Sequence, residues 1–429
     1  MTESSPSEGV SVSGARGTPD RNPGPARTTP VLRRARTAVF LLFFANALAY
    51  ANVVPRLPEI RDDIGLSNTA LGTAIAAMPV GALVAGLSAG VLGARIGSGR
   101  LATLCTFGFA LALPLISLAS AWWMLAGCLF LMGVLDALMD VAMNAHGLRV
   151  QHGYGRSILS SFHALWSIGA VVGGLISTTL AGTGLALGWH LLAMGVLLAV
   201  LSVVVWPMLL PGPDEESGPR EADTAGDGGP AVPAGRAAMA ALPVVTMLGL
   251  LLVMSSVVED TPASWGSALL QDDYRASAVM AGMAYVVFQT MMTIGRLLGD
   301  RTIDRYGRVA VARVGGLLIA IPLGLALLAD SAVAVIIAFG FAGLGTATLF
   351  PAAMQAAGSI PGVRSGDAIA VVSWIARLGF LAGPPLVGLV GDRVNLRTGV
   401  SAVVIAGFGI LLLASVLRPD ARKAPGGTG

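Results

Sequence analysis

Three polar side chains share one face of a long apolar stretch. Asp136, Asp140 and Asn144 lie within Leu131–Gly147, LMGVLDALMDVAMNAHG, which continues an apolar run that begins near residue 121. At about 100° per residue of an α-helix, these side chains point within about 80° of one another. An acidic residue at the centre of a bilayer costs roughly 2.5–3.5 kcal/mol. Two acids on one face therefore indicate a polar cavity, a cationic partner or protonation.

The acidic residues of apolar stretches are candidates for proton coupling. A carboxyl group in a low-dielectric cavity can load and release a proton near neutral pH. Asp140 is the leading candidate, and a permanent structural ion pair is its alternative. Asp136 could share the proton or pair elsewhere, and Asn144 fits interhelical packing as well as ligand binding. Glu259, in SSVVEDTPASW, either lines the same cavity or lies at the membrane–water interface.

Arg377 is the second ionisable anomaly. It lies in the middle of the apolar sequence SWIARLGFLAGPP, where an arginine requires a partner. The candidate partners are Asp136, Asp140, Glu259 and a solute anion. The alternative is that the side chain extends along the helix to the cytoplasmic interface. We hypothesise that Arg377 bonds an acidic group in the other half of the chain, across the interface between the halves, or binds an anionic solute.

Further polar and aromatic residues of the apolar stretches extend the candidate site. Tyr285 and Gln289 recur at helical spacing and indicate a cavity wall. His163 could titrate near pH 6–7, although a hydrogen-bonded packing histidine is the favoured interpretation. Tryptophans could stack on a ring-shaped solute or simply pack. The predicted solute-binding residues are Asn46, Tyr50, Asn144, His163, Trp166, Tyr285, Gln289, Trp374 and Arg377.

The composition is that of a polytopic membrane protein. Of the 429 residues, 55% are hydrophobic and 12% are charged, whereas a soluble domain has about 25% charged residues. The net charge of +3 reflects topology, because no basic patch is interleaved with aromatic residues as in nucleic-acid-binding proteins. No zinc-ligand, Walker A, HExxH or GxSxG pattern occurs. We expect no metal, no cofactor, no nucleic acid and no enzymatic activity.

Twelve apolar stretches of about 20 residues are long enough to span a bilayer. They lie at 37–55, 69–92, 101–119, 122–146, 158–181, 186–210, 241–261, 277–298, 309–329, 331–355, 367–390 and 397–417. The sequence therefore predicts an all-α membrane protein. Its predicted parts are a disordered cytoplasmic tail (1–36), a six-helix bundle (37–210), a cytoplasmic linker (211–240), a second six-helix bundle (241–418) and a cytoplasmic tail (419–429).

Basic residues are distributed unequally between the two sides of this topology. Most of the 27 Lys and Arg residues fall on the side of the termini. The residues on the opposite side are Arg56, Arg61, Arg275, Arg393 and Arg397, and those within spans are Arg296 and Arg377. Because cytoplasmic loops carry the excess of basic residues, both termini are predicted to be cytoplasmic. We expect a monomeric, multi-pass protein of the plasma membrane.

The chain contains an internal repeat. A shift of 210 residues places Ser67 on Ser277 and Gly97 on Gly307 without gaps. Two six-span units with the same orientation form a parallel repeat, in which a solute site lies at the interface and rocking of the halves gives alternating access. The repeat favours a carrier over a membrane enzyme or receptor. The charges are not repeated, since the counterparts of Asp136, Asp140 and Arg377 are Thr346, Phe350 and Ser167.

The loop after the second span of each half carries a family motif. Asp304-Arg305-Tyr306-Gly307-Arg308 matches the DR-x-GR signature of the major facilitator superfamily, and the first-half counterpart retains Arg95 and Gly97 but has Ala94 in the acidic position. The chain resembles this superfamily over about residues 37–418. The resemblance implies that the loop acid helps to latch the cytoplasmic side of the outward-open state. The implied gating residues are Arg95, Gly97, Asp304, Arg305, Gly307 and Arg308.

Within the superfamily, the chain resembles the fucose-permease-like branch. The residues that carry this resemblance are Asp140-x-Ala142-x-Asn144, Phe350-Pro351 and Gly383-Pro384-Pro385. The acid that this branch has in span one is missing here, where Asn46, Tyr50 and Asn52 are the polar groups. The prolines are expected to break or kink spans ten and eleven.

Three functions are compatible with these features. The first is a proton-coupled symporter of a small polar or sugar-like solute, and the second is a proton-driven exporter of metabolites or drugs. Gly173-Gly174 is not followed by the proline of the antiporter signature, which weakens the second slightly. The third is a membrane sensor or scaffold that transports nothing. The expected partners are a small solute, protons and the lipid bilayer.

Overall fold

This computed structural model describes residues 29–211, 234–360 and 363–418, apart from the side chains of Leu87 and of residues 234–240. All regular secondary structure of these residues is helical. The greater part of the predicted N-terminal tail, linker and C-terminal tail lies outside the described residues, at 1–28, 212–233 and 419–429. Residues 30–36 and 234–240, which the sequence assigned to the tail and the linker, are helical and continue directly into membrane-length helices. The predictions for the rest of these segments, and the domain boundaries that depend on them, stay predictions.

Twelve helical segments of the described chain are long and apolar enough to cross a membrane, and they form two halves of six. The helices of the first half are α1 (Pro30–Ala51), α2 (Leu57–Ile64), α3 (Asn68–Ile96), α4 (Ser98–Ser117), α5 (Trp122–Tyr154), α6 (Leu159–Gly182) and α7 (Leu187–Val205). Those of the second half are α8 (Ala234–Ser264), α9 (Gly266–Asp272), α10 (Ala278–Tyr306), α11 (Arg308–Leu328), α12 (Ala332–Thr346), α13 (Leu349–Gly358), α14 (Ser365–Arg393) and α15 (Leu396–Leu413).

The 210-residue repeat is visible in the helix boundaries. Helices α3 and α10 each have 29 residues and begin and end at equivalent positions. Both are capped by a serine, since the hydroxyl of Ser67 accepts a hydrogen bond from the Ala70 amide at 3.2 Å and that of Ser277 accepts one from the Met280 amide at 3.3 Å. The repeated sequence therefore encodes repeated structure.

Several helices continue past the apolar windows that the sequence predicted. Helices α3, α5 and α10 end at glycines with positive φ, which are Gly97 (94°), Gly155 (63°) and Gly307 (79°). Glycine adopts this conformation without the steric cost that a Cβ atom brings. The ends of these helices are therefore determined by the cap rather than by the end of the apolar run, and they extend into the polar sequence that follows it.

The prolines act differently in spans ten and eleven. Span ten is broken as predicted, because α12 ends at Thr346 and α13 begins at Leu349. Pro351 lies in the first turn of α13, where its missing N–H needs no helical acceptor. Span eleven is one continuous helix, α14, with Pro384 and Pro385 inside it. These two prolines therefore do not break the helix.

The two halves meet through two helix pairs and one polar end. Helix α3 packs against α14, and α6 packs against α10. A Cβ atom at Gly72 would collide with the carbonyl oxygen of Pro384, so α3 and α14 approach at a distance that only glycine permits. At the end that carries α2 and α9, Asp392 accepts hydrogen bonds from the amides of Asn68 and Thr69 at 2.9 and 2.8 Å. This end of the interface is closed.

Candidate functional site

A cavity of about 590 Å³ lies between the two halves. Helices α1, α3, α5 and α6 form one wall, and α8, α10, α13 and α14 form the other. The sequence-predicted residues that line the cavity are Asn46, Tyr50, Asp136, Trp166, Glu259, Tyr285, Gln289 and Arg377. The predicted residues outside its lining are Asp140, Asn144, His163 and Trp374. The cavity thus brings together residues of both halves that are far apart in the sequence.

Asn46 connects three helices of the first half. Its amide Nδ2 donates to Oδ1 of Asp136 at 2.9 Å, and its Oδ1 accepts from the indole nitrogen of Trp166 at 2.8 Å. Asn46 is only 4% exposed, so its donor and its acceptor are satisfied where water has little access. This chain of bonds fixes the orientation of Asp136 and Trp166 at the cavity wall.

Asp140 lies one turn further along α5 and is exposed. Asn144 donates to Oδ1 of Asp140 at 3.0 Å and to its carbonyl oxygen at 2.9 Å, so Asn144 acts within its own helix. Asp140 also lies within electrostatic range of His163 on α6 and of Arg377 on α14 in the opposite half. The acid therefore faces the open part of the interface between the halves.

Arg377 lies on the cavity wall and is exposed. Its guanidinium Nη1 lies beside Gly86 of α3. Among the residues that the structure describes, no acidic side chain lies within 4.0 Å of it. The predicted ion pair with an acid of the other half is therefore not formed in this conformation, although the charge of Asp140 is near.

Two adjacent acids come from α8. Glu259 forms an ion pair with Arg296 of α10 at 3.3 Å, so one of the two arginines that the sequence places within spans is the partner of this acid. Asp260 lines the cavity, and its Oδ2 accepts a hydrogen bond from Ser264 at 2.8 Å. The sequence analysis did not select Asp260. The available signal was a second acid within an apolar stretch, four residues before a serine that can bond it.

Helix α10 contributes to the cavity wall a buried hydrogen-bond donor that has no partner. Gln289 is 4% exposed and lines the cavity. Its amide Nε2 has no hydrogen-bond partner. Tyr285, one turn away, is 5% exposed and lines the same wall. Most buried polar groups in proteins are paired, so an unpartnered donor in a residue of the cavity wall indicates a place where a ligand could bind after a small rearrangement.

His163 packs against an aromatic ring, as in the favoured interpretation, but has no hydrogen bond to the described residues. This residue is exposed, and its ring packs edge-on against Phe43 with centroids 5.0 Å apart. The histidines that are fully buried are His146 and His190, of which His190 pairs with Asn52 at 2.9 Å. Whether His163 has a role beyond this packing stays a prediction. Trp374 is 59% exposed and does not contribute to the cavity wall.

The loop motif has the same backbone in both halves. Gly97 and Gly307 have φ of 94° and 79°, and each both ends one helix and precedes the next. Around them, Arg95, Asp304 and Arg305 are exposed, and Arg308 is half-buried. Because only glycine readily adopts this conformation, the repeated glycine is required by the turn itself. The latching role of the charged residues stays a prediction.

Twelve apolar segments in two repeated halves around a central cavity define a membrane carrier fold. The family model of the Major Facilitator Superfamily matches residues 39–265 and 248–429. The chain belongs to the Major Facilitator Superfamily, and it is a multi-pass membrane transporter. This result confirms the predicted fold class and superfamily, whereas the fucose-permease-like assignment stays a prediction.

Relatives and solved structures agree with this assignment. The chain is 31% identical over 366 residues to an uncharacterized MFS-type transporter of Yersinia pestis, covering 85% of this chain and 91% of the relative. It is 27% identical over 399 residues to the membrane protein MosC of Rhizobium meliloti, covering 92% of each. A crystal structure of a mutant of the nucleoside transporter NupG has a TM-score of 0.72 at 12% identity, covering 89% of this chain and 98% of that one. This likeness concerns the fold alone.

Proposed function

We propose that this protein is a proton-coupled secondary transporter of a small solute, which works by alternating access. The observation that carries the proposal is the cavity of about 590 Å³ between the halves, closed at the end of α2 and α9 and bordered by ionisable side chains. Its volume lies within the range of about 300–1,000 Å³ for small-molecule sites. In a parallel repeat, such an interfacial site can open to either side when the halves rock.

Asp140 is the acid best placed to carry the proton. Asp136 already bonds Asn46, and Glu259 already pairs with Arg296. Asp140 is exposed and bonds only its neighbour Asn144, with the charges of His163 and Arg377 nearby. A carboxyl group that water can reach from one side, and that a cation of the opposite half can meet, can exchange its proton with a conformational change.

The proposed coupling follows from the position of Arg377 in the opposite half. When the open end closes, α14 brings Arg377 towards α5, and ionised Asp140 pairs with it. Protonation removes the negative charge, so the ion pair is lost and the open-ended state is favoured. Proton binding and opening are therefore linked, since each is favoured when the other occurs. In the present conformation, the charge of Arg377 already acts on Asp140, and this supports the proposal.

The proposed orientation rests on the distribution of basic residues. The loops with Arg95 and Arg305 lie at the end opposite to α2 and α9. By the positive-inside rule these loops are cytoplasmic, as are both termini, and the cavity opens to the cytoplasm. The plasma membrane, a monomeric state, and division into bundles at 37–210 and 241–418 belong to the same proposal. Its likeness to the fucose-permease-like branch favours uptake of a small polar solute.

Proteoliposomes with an imposed pH gradient test the proposal. A panel of sugars, nucleosides, amino acids and organic amines is added, and solute accumulation and internal pH are recorded together. We expect at least one solute to accumulate with proton movement. Asp140→Asn should abolish accumulation above the external concentration but retain exchange of the solute, whereas Asp63→Asn, an exposed acid outside the cavity, should behave as wild type.

The outcome separates the three functions. Accumulation driven by protons that move in the same direction supports symport, and opposite movement of proton and solute supports export. Flux that persists unchanged in Asp140→Asn contradicts the role of Asp140. The absence of flux for every solute, together with a regulatory phenotype of the deletion strain, contradicts the transport mechanism and favours a sensor or scaffold.

A further inference from the structure

We infer that the cavity recognises a small organic cation, a protonated amine or a quaternary ammonium group, between the carboxylates of Asp136 and Asp260. The inference rests on the proposed transport function, because it names the class of solute that the same cavity binds. It depends on three features of the described residues, which are the balance of charge, the position of the two carboxylates and an unpartnered donor in the same cavity lining.

The cavity wall carries more acidic than basic side chains. Its acids are Asp136, Glu259 and Asp260, and Arg377 is its basic residue. The charge of Glu259 is balanced by Arg296 at 3.3 Å, and Arg296 itself is not a lining residue of the cavity. Within the described chain, neither Asp136 nor Asp260 has a basic group within 4.0 Å. The cavity therefore holds two carboxylates whose charges no neighbouring ion pair balances.

Arg377 does not balance these two carboxylates. Its guanidinium lies beside Gly86, which is further along α3 from the closed end than the cavity residues Ile75 and Met78. From there Arg377 acts on Asp140 at the open part of the interface. The basic charge is thus directed towards the mouth, and the acidic charges remain deeper in the cavity.

The two carboxylates belong to opposite halves and face a common region. Asn46 holds Oδ1 of Asp136, and Ser264 holds Oδ2 of Asp260. The other oxygen of each carboxylate has no hydrogen bond from the described residues, so each remains available to a ligand. Tyr50 lines the cavity between them, and its hydroxyl lies within electrostatic range of both acids. A cation bound there would contact both halves, as alternating access requires.

An independent observation points to a ligand at this place. Gln289 is 4% exposed and lines the cavity, and its Nε2 has no partner. An acceptor oxygen on the solute would satisfy this donor. Aromatic rings of Tyr50, Trp166 and Tyr285 line the same cavity and can contact a cation through their faces. The proposed solute therefore combines a cationic group with a hydrogen-bond acceptor.

A metal cation and protons are the competing sources of positive charge. In the described part of the chain, no group of three or more His, Cys, Asp or Glu side chains could hold a metal ion. Protonation of both carboxylates would make the cavity neutral, and a neutral solute would then bind as well as a cationic one. These alternatives predict different binding preferences, so a matched set of probes can separate them.

The test measures binding rather than transport. The full-length protein in detergent is titrated with ethyl, cyclohexyl and phenylethyl probes, each as the ammonium ion, the alcohol and the carboxylate, with sodium chloride alone as a further probe. The readouts are the shift in melting temperature and the quenching of tryptophan fluorescence. We expect at least one ammonium ion to bind about tenfold or more tightly than its alcohol, and its carboxylate to bind least.

Variants connect this preference to the two acids. Asp260→Asn should reduce ammonium binding about tenfold while leaving alcohol binding unchanged, and Asp260→Glu should restore part of the preference. Asp136→Asn should have a similar effect, whereas Asp63→Asn should bind as wild type. A melting temperature of each ligand-free variant near that of wild type shows that the protein is folded. If Asp136→Asn does not fold, the comparison of Asp260→Asn with Asp260→Glu still tests the inference.

Each remaining outcome contradicts one claim. If no ammonium ion binds more tightly than its alcohol, or if sodium chloride alone reproduces the shift, the inference is wrong. Transport of a neutral or anionic solute without ammonium preference would overturn the inference and leave the proposed function in place. Ammonium binding that depends on Asp260, without flux of any bound solute, would support the inference and contradict the proposed function.

Discussion

Arg61 of α2 joins an acid of its own half to the repeat-equivalent acid of the other half. Its guanidinium donates to Asp272 of α9 through two hydrogen bonds, at 2.6 and 3.0 Å, and to the adjacent Asp62 at 2.9 Å. Asp62 and Asp272 are equivalent under the 210-residue shift. Arg61 is 8% exposed, so this two-bond pair is largely shielded from water. Opening of this end requires the pair to break.

Arg61→Gln should shift the conformational equilibrium towards states that are open at the α2 and α9 end. Loss of a two-bond charged pair removes about 1.5–3 kcal/mol of stabilisation from the closed end. Spin labels at Asp63→Cys and Arg275→Cys, in a background without Cys105 and Cys128, would report the distance between the halves. We expect a larger population at long distance.

Arg393→Gln is the matched control for Arg61→Gln, because Arg393 is an exposed arginine at the same end of the molecule. Its distance distribution should be that of the labelled parent. An unchanged distribution in Arg61→Gln would mean that packing of α3 against α14, rather than the ion pair, keeps this end closed.

Gly307→Ala should destabilise the loop of the second half. With φ of 79° and ψ of 153°, Gly307 has a conformation that alanine adopts only at a cost of about 1–3 kcal/mol. Gly90→Ala is the control, because Gly90 lies inside α3 and a Cβ atom there would meet nothing within 4 Å. The melting temperature in detergent should fall for Gly307→Ala and remain or rise for Gly90→Ala. Equal melting temperatures would show that the loop tolerates a different backbone.

The architecture could be predicted because it depends on local and repeated signals. Apolar length places the membrane helices, and the shift that aligns Ser67 with Ser277 and Gly97 with Gly307 reproduces the boundaries of α3 and α10. Helix caps are encoded by one or two residues, so they too can be recognised in the sequence. The exact helix ends differed where polar sequence continued a helix past the apolar run.

The site could be predicted only in part, because its geometry depends on how helices rotate and on which end is closed. Asp136 was recognised as an intramembrane acid, but its bond to Asn46 joins residues 90 positions apart. Asp260 was not predicted beside Glu259, since spacing alone does not show that two adjacent acids both line the cavity. The separation of Arg377 from an acidic partner depends on how the two halves pack together, which no sequence pattern specifies.

Asn46→Ala should destabilise the first half, because Asp136 and Trp166 both lose a hydrogen-bond partner. The substitution leaves Oδ1 of Asp136 and the indole nitrogen of Trp166 without their partner, which costs about 1–3 kcal/mol for each buried group. Trp166→Phe removes only the second bond. In a double-mutant cycle, the two substitutions should therefore be less than additive by about 0.5–3 kcal/mol. Chemical denaturation in detergent measures this coupling, and strict additivity would contradict the shared network.

Arg377→Gln should uncouple transport from protons if Arg377 is the group that ionised Asp140 meets. Without the guanidinium, deprotonation of Asp140 no longer favours closure of the open end, so the dependence of transport on external pH should flatten. Accumulation should fall about tenfold or more, whereas exchange of solute at equal pH should persist. The double variant with Asp140→Asn should be no worse than either single variant, because each removes the same interaction. Arg301→Gln, an exposed arginine near the loop of the second half, is the control. Full accumulation with an unchanged pH profile in Arg377→Gln would contradict the proposed pairing of Asp140 with Arg377.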